Sequence, residues 1–110
     1  MILTTTDQIH GKRIVKNLGL VHGNTIRALH VGMDIMAGLK NLVGGEVSEY
    51  TKLMGESREQ ALDRMMDDAK RLGANAIVGI SFSTSEIMNG AAELLAYGTA
   101  VLVEDDSDTD

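Results

Sequence analysis

The residues best able to do chemistry sit together in His30-Val31-Gly32-Met33-Asp34. An imidazole, a thioether and a carboxylate fall there within one short stretch, just ahead of an apolar run. Thioether and imidazole donors suit a soft metal such as Cu(I), so His30, Met33 and Asp34 are the candidate metal ligands. The bland alternative stands beside this one, because Met33 and Met36 at helical spacing also fit core-filling methionines. The other two histidines, His10 and His22, fall in an expected turn and at a strand bend, and no two histidines share a His-x-x-x-His spacing. The chain has no cysteine, which excludes disulfides, thiolate nucleophiles and cysteine zinc sites.

No catalytic constellation is visible. The sequence holds no Gly-x-Gly-x-x-Gly or phosphate loop and no Gly-x-Ser-x-Gly elbow. Glu56, Glu59, Asp63, Asp67 and Asp68 are interleaved with Lys and Arg, as on a solvated helix face, whereas acid–base work needs one carboxyl in an apolar setting. No cofactor is indicated. A net charge of −6 disfavours nucleic acid, whose phosphates need a concentrated basic surface. No run approaches the ~20 apolar residues of a membrane span, and no secretory signal is visible. The expected location is cytoplasmic.

The elements that must position these groups fit one domain over residues 1–104, followed by a disordered acidic tail over 105–110. Residues 2–6 suit a short edge strand. Arg13 to Leu29 reads as extended, with His22-Gly23 or Gly23-Asn24 as the place for a hairpin or bulge. Met33 to Val43 has helical spacing and stops at Gly44-Gly45. A longer helix follows from about Val47 to Leu72, with Tyr50, Leu53, Met54, Ala61, Leu62, Met65, Met66, Ala69 and Leu72 in its apolar stripe. The stripe keeps its phase across Gly55, which favours one continuous helix over a break and capping box at Ser57. Asp67 and Arg71 have the spacing of a helical ion pair, and Gly73 is placed to end the helix.

Ala76 to Thr84 alternates as a strand, with Ala76, Val78, Ile80, Phe82 and Thr84 expected on one face. Glu93 to Glu104 is the last strand, and it is apolar on both faces. One helix covers only one face of a small sheet, so a second copy of the chain is the expected cover for the other. The composition agrees. With one Phe, two Tyr and no Trp, the core is built from aliphatic side chains, each burying less surface than a ring.

Four segments then carry a family likeness: Gly19-Leu20-Val21-His22-Gly23, Leu42-Val43-Gly44-Gly45, Leu72-Gly73-Ala74-Asn75-Ala76-Ile77-Val78-Gly79-Ile80 and Gly98-Thr99-Ala100-Val101. In this order they resemble the YbjQ family of small bacterial and archaeal proteins, which carries a heavy-metal-binding label. The likeness runs from Met1 to about Glu104 and departs at His10, where members typically have Pro. It implies an α+β, dodecin-subunit-like fold: a long helix packed on a small antiparallel sheet, assembled as a ring, either a pentamer or a stacked decamer. It implies no established activity and brings no catalytic residues. The function expected is a ring-forming binding module for a metal ion or small ligand. The alternative is a structural or protein-interaction oligomer without a small ligand. Flavin binding, suggested by the dodecin-like fold, is disfavoured by the absence of Trp.

Overall fold

A helix whose buried positions recur every four residues needs a flat apolar surface beneath it, and three long strands supply one. The computed structural model describes residues 1–28, 48–88 and 90–106. In chain order they form β1 (Ile2–Leu3), β2 (Lys12–Ala28), α1 (Ser48–Arg71), β3 (Ala76–Met88) and β4 (Ala91–Asp105). The helix expected over Met33–Val43 and its Gly44-Gly45 stop lie outside the described residues.

The strands make one sheet in the order β1-β3-β4-β2. β4 is antiparallel to both β2 and β3, but β1 runs parallel to β3. The sheet is therefore mixed, not wholly antiparallel as expected. A parallel neighbour demands a long connection, and β2 and α1 lie between these two strands in the chain.

β2 passes through Gly23 without a hairpin or bulge. Its register shifts fall earlier, between Ile14 and Lys16 and between Asn17 and Gly19. Gly23 instead lies under the backbone of Ala61 and Met65, where no Cβ would fit. Its missing side chain serves close packing, not a turn.

α1 is continuous through Gly55. Ala61, Met65 and Ala69 are fully buried, and with Val21, Ile77, Ile80, Ala96 and Ala100 they form the core between helix and sheet. Burial of such side chains contributes roughly 25 cal/mol per Å² of apolar surface. The helix ends at Gly73, which has φ +84°. Ala74 N–H donates to Ala69 O at 3.1 Å and Gly73 N–H to Lys70 O at 3.0 Å, the paired bonds of a Schellman cap. Arg71 approaches Asp68, three residues back, at 3.8 Å. Asn75 comes next, and its side-chain amide binds both Val103 O and Val103 N–H at 2.8 Å. The side chain so extends the sheet ladder before β3 begins.

Within β3 the register shifts between Val78 and Ser81, at Gly79 with φ +62°. This bulge adds a residue and reverses the facing of the residues beyond it. Ile77 and Ile80 both join the helix-side core, whereas Ala76 and Val78 join Val101 and Val103 on the far face. Simple alternation would place Ile80 with Val78. Ile9 packs on that far-side cluster, so the chain itself covers one end of the second face. At the other end Leu20, Ile26 and Tyr97 remain 72%, 59% and 38% exposed.

β4 continues one residue into the segment expected to be a disordered tail. Lys12 pairs with Asp105, Arg13 with Glu104, and Asp106 N–H donates to Gly11 O at 3.0 Å. The start of β2 and the end of β4, antiparallel neighbours of opposite charge, hold Asp105 and Asp106 in place. Residues 107–110 lie outside the described residues.

Candidate functional site

The three sequence candidates His30, Met33 and Asp34 all lie outside the described residues. Among the described residues no group of three or more His, Asp or Glu side chains could hold a metal ion. His10 and His22 are both exposed and stand on different elements, the turn before β2 and the far face of β2. The chain contains no thiolate to favour a heavy metal. The residues described here do not fit a heavy-metal centre.

The most organised polar group lies instead along the seam of β2 and α1. Ser57, 1% exposed, sits in the buried helix stripe one turn before Ala61. Its Oγ donates to Leu53 O at 2.9 Å and accepts from Arg27 Nε at 2.9 Å. Arg27 also donates to Gln60 Oε1 at 2.7 Å, and Thr25 Oγ1 donates to Ser57 O at 3.3 Å. Further along, Arg64 donates to Asn24 O at 2.5 Å, and Asp68 Oδ2 accepts His22 N–H at 3.3 Å. Those last two bonds reach backbone groups at the free edge of β2. Among the described residues no buried side-chain polar atom lacks a partner, so the seam is saturated and holds the helix in register.

Two openings adjoin the seam. One of about 950 Å³ is bordered by Arg27, Lys52, Glu56, Arg58, Glu59 and Asp63. Three cations face three carboxylates there, which gives no preference for a charged ligand. The other, of about 440 Å³, is a groove between α1 and β3 bordered by Met54, Phe82 and Leu94. A further feature is the far face of the sheet, where Leu20, His22 and Ile26 on β2 stand across from Thr99, Tyr97 and Glu93 on β4. Asn24 donates to Glu93 Oε2 at 3.2 Å within it. This half-apolar face was legible in the last strand's pattern. The β2–α1 seam was not, because Ser57 and Arg27 lie thirty residues apart in sequence. No helix among the described residues is long and apolar enough to cross a membrane.

Comparison with known proteins agrees with this fold. A UPF0145 protein of Dehalococcoides mccartyi is 59% identical over 94% of this chain and 100% of its own. Another, from Methanosarcina acetivorans, is 55% identical over 94% of this chain and 97% of its own. The crystal structure of a Pediococcus pentosaceus protein of unknown function, from the DUF74 family, superposes with a TM-score of 0.63. It covers 94% of this chain and 98% of that one at 18% identity, a likeness of fold alone. The family model described as "YbjQ_1: Putative heavy-metal-binding" matches residues 1–104, and the chain belongs to the YbjQ family.

Proposed function

We propose that this protein is a cytoplasmic, ring-forming homo-oligomer, a pentamer or stacked decamer, that acts as a binding module for a metal ion or small ligand. The observation that carries the reading is the uncovered half of the sheet's far face, with Leu20, Ile26 and Tyr97 in solvent. Large apolar side chains exposed on one face of a sheet suit a subunit contact. A ring repeats each polar side chain around its axis, so one weak donor per subunit becomes several converging donors. His30, Met33 and Asp34 remain the donors proposed for that role.

Light scattering on the untagged protein tests the assembly. A particle of 11.8 kDa, one chain, overturns it. Leu20→Glu places a charge on the uncovered face and is expected to reduce the particle mass while leaving the far-ultraviolet dichroism unchanged. Elemental analysis and calorimetric titration with Cu(I), Zn(II) and Ni(II) test the ligand. Absence of binding below about 1 mM, roughly −4 kcal/mol, removes the metal.

The second reading, an interaction oligomer with no small ligand, needs only the exposed Leu20, Ile26 and Tyr97 of the far face. Retention of the oligomer with no metal uptake selects it.

A further inference from the structure

We propose that the free edge of β3, from Ser81 to Ile87, pairs antiparallel with the same edge of a second copy about a two-fold axis at Thr84. This rests on the homo-oligomer reading above and names one of its contacts.

The two edges of the sheet are treated differently. Both β2 and β3 carry two register shifts, those of β3 at Gly79 and between Glu86 and Met88, so the edges differ in their cover. On the β2 side, Asp68 takes the His22 N–H and Arg64 takes the Asn24 carbonyl. Covering an edge is a standard guard against edge-to-edge pairing.

On the β3 side, β1 reaches only Ala76 and Ile77. The residues after β1 extend the cover to Ile80, whose N–H donates to Thr4 O at 3.1 Å. Beyond Ile80, no described residue outside β4 pairs with the β3 backbone. Because the Ile80 N–H points away from β4, and the ladder is regular from Ser81↔Tyr97 to Glu86↔Ala92, alternation turns the N–H and C=O of Phe82, Thr84 and Glu86 outward. Every residue from Ser81 to Ile87 is exposed, and the segment contains no Lys, Arg or Pro. Among the described residues nothing guards this edge.

The segment is also self-complementary. A two-fold axis at Thr84 sets each Phe82 opposite Glu86 of the other copy and Thr84 opposite Thr84, each pair exchanging both backbone hydrogen bonds. The single charge, Glu86, meets Phe82 and not its own copy. Phe82 and Ile87, 44% and 47% exposed, lie along the joined edge. Such a contact is isologous and cannot close a five-fold ring, so it joins subunits in pairs or two rings into one particle.

Native mass spectrometry at equal protomer concentration, with two variants, tests this. Thr84→Pro removes an outward N–H and spares the β4 ladder, a placement edges tolerate. The wild type is expected to contain an even number of subunits, and Thr84→Pro to halve it with unchanged dichroism. Thr84→Cys puts one thiol in a chain that has none, and paired residues at about 5.5 Å Cα separation permit a disulfide. Oxidation is expected to give a covalent dimer, while Leu72→Cys at the exposed end of α1 gives none. If Thr84→Pro fails to fold, the cysteine pair decides alone. A wild-type pentamer with no Thr84→Cys dimer overturns the edge pairing and leaves the ring standing. A dimer that Thr84→Pro converts to monomer supports the edge and removes the ring. A monomer overturns both.

Discussion

Gly23→Ala measures how closely α1 is pressed on the sheet. A Cβ at this position would lie 2.9 Å from Arg64 Cβ, and closer still to the backbone oxygen of Ala61 and the backbone nitrogen of Met65. Backbone atoms cannot swing aside as a side chain does, so the helix itself must retreat by roughly 1 Å before contacts reach the ordinary range of about 3.5–4.0 Å. That retreat opens a gap between Met65 and Ala69 above and Val21 and Ala96 below. A gap of this size forfeits about a quarter to a half of each dispersion contact it crosses. Overpacking changes cost about 1–3 kcal/mol, and a clash with backbone on two sides belongs at the upper end. At about 3 kcal/mol the folding constant falls more than about a hundredfold, and the melting temperature falls by roughly 12–24 °C. The chain has no Trp, so the assay is urea denaturation followed by far-ultraviolet dichroism at fixed protomer concentration. Unfolding within about 0.5 kcal/mol of wild type would refute the close approach.

Three further outcomes are expected. Gly55→Ala, with nothing nearer than Arg58 Nη2 at 4.0 Å, is expected to stabilise α1 by about 0.5–1 kcal/mol; a loss in the same urea assay contradicts a continuous helix. Ser57→Ala leaves Arg27 Nε without its acceptor and is expected to cost about 1–2 kcal/mol, read as a lower urea midpoint at unchanged slope. The hydrogen bond from Lys12, helped by its charge, holds the Asp105 carboxyl below the ordinary 3.8. A depressed carboxylate stabilises the fold above its unfolded value and loses that contribution as pH falls through the folded one. Lys12→Met should therefore raise the Asp105 midpoint in a carboxyl NMR titration, and its stability difference from wild type should vanish on acidification below 3.8. An unmoved midpoint would show that the pair does not persist in solution.

The periodic parts of the fold were readable because burial enforces period. Ala61, Met65 and Ala69 had to share a face, and α1 lies within a residue of where their spacing put it at each end. What escaped the sequence were features set by single residues acting across space. Gly79 looks like any other small residue in an alternating strand, yet its positive φ turns Ile80 onto the helix side. Gly23 read as a break because glycine usually is one; only the helix above it reveals the packing role. The parallel sense of β1 depends on where the chain returns after α1, which no local pattern encodes. Asn75 belonged to a familiar motif, but its amide standing in for backbone against Val103 is a contact between residues 28 apart. His30, Met33 and Asp34, the candidate donors, fall outside the described residues, so the site's chemistry rests on their types and spacing.

The charged residues of α1 carry a consequence that their solvated spacing concealed. Arg64 and Asp68 lie four apart, so they project on one side of the helix, and that side overhangs β2. There each completes a backbone group that an edge strand leaves open, Asn24 C=O and His22 N–H. The sheet's other edge, beyond Ile80, receives no such cover from the described part of the helix. Polar residues that read as mere solubilising surface thus bias which edge of the sheet is available to a partner. In a sheet whose far face Ile9 covers at one end, that bias leaves two adjoining surfaces for assembly: the exposed end of the far face and the β3 edge beside it. Subunit contacts of different symmetry need distinct surfaces, and these two meet at Ser81, which pairs with Tyr97.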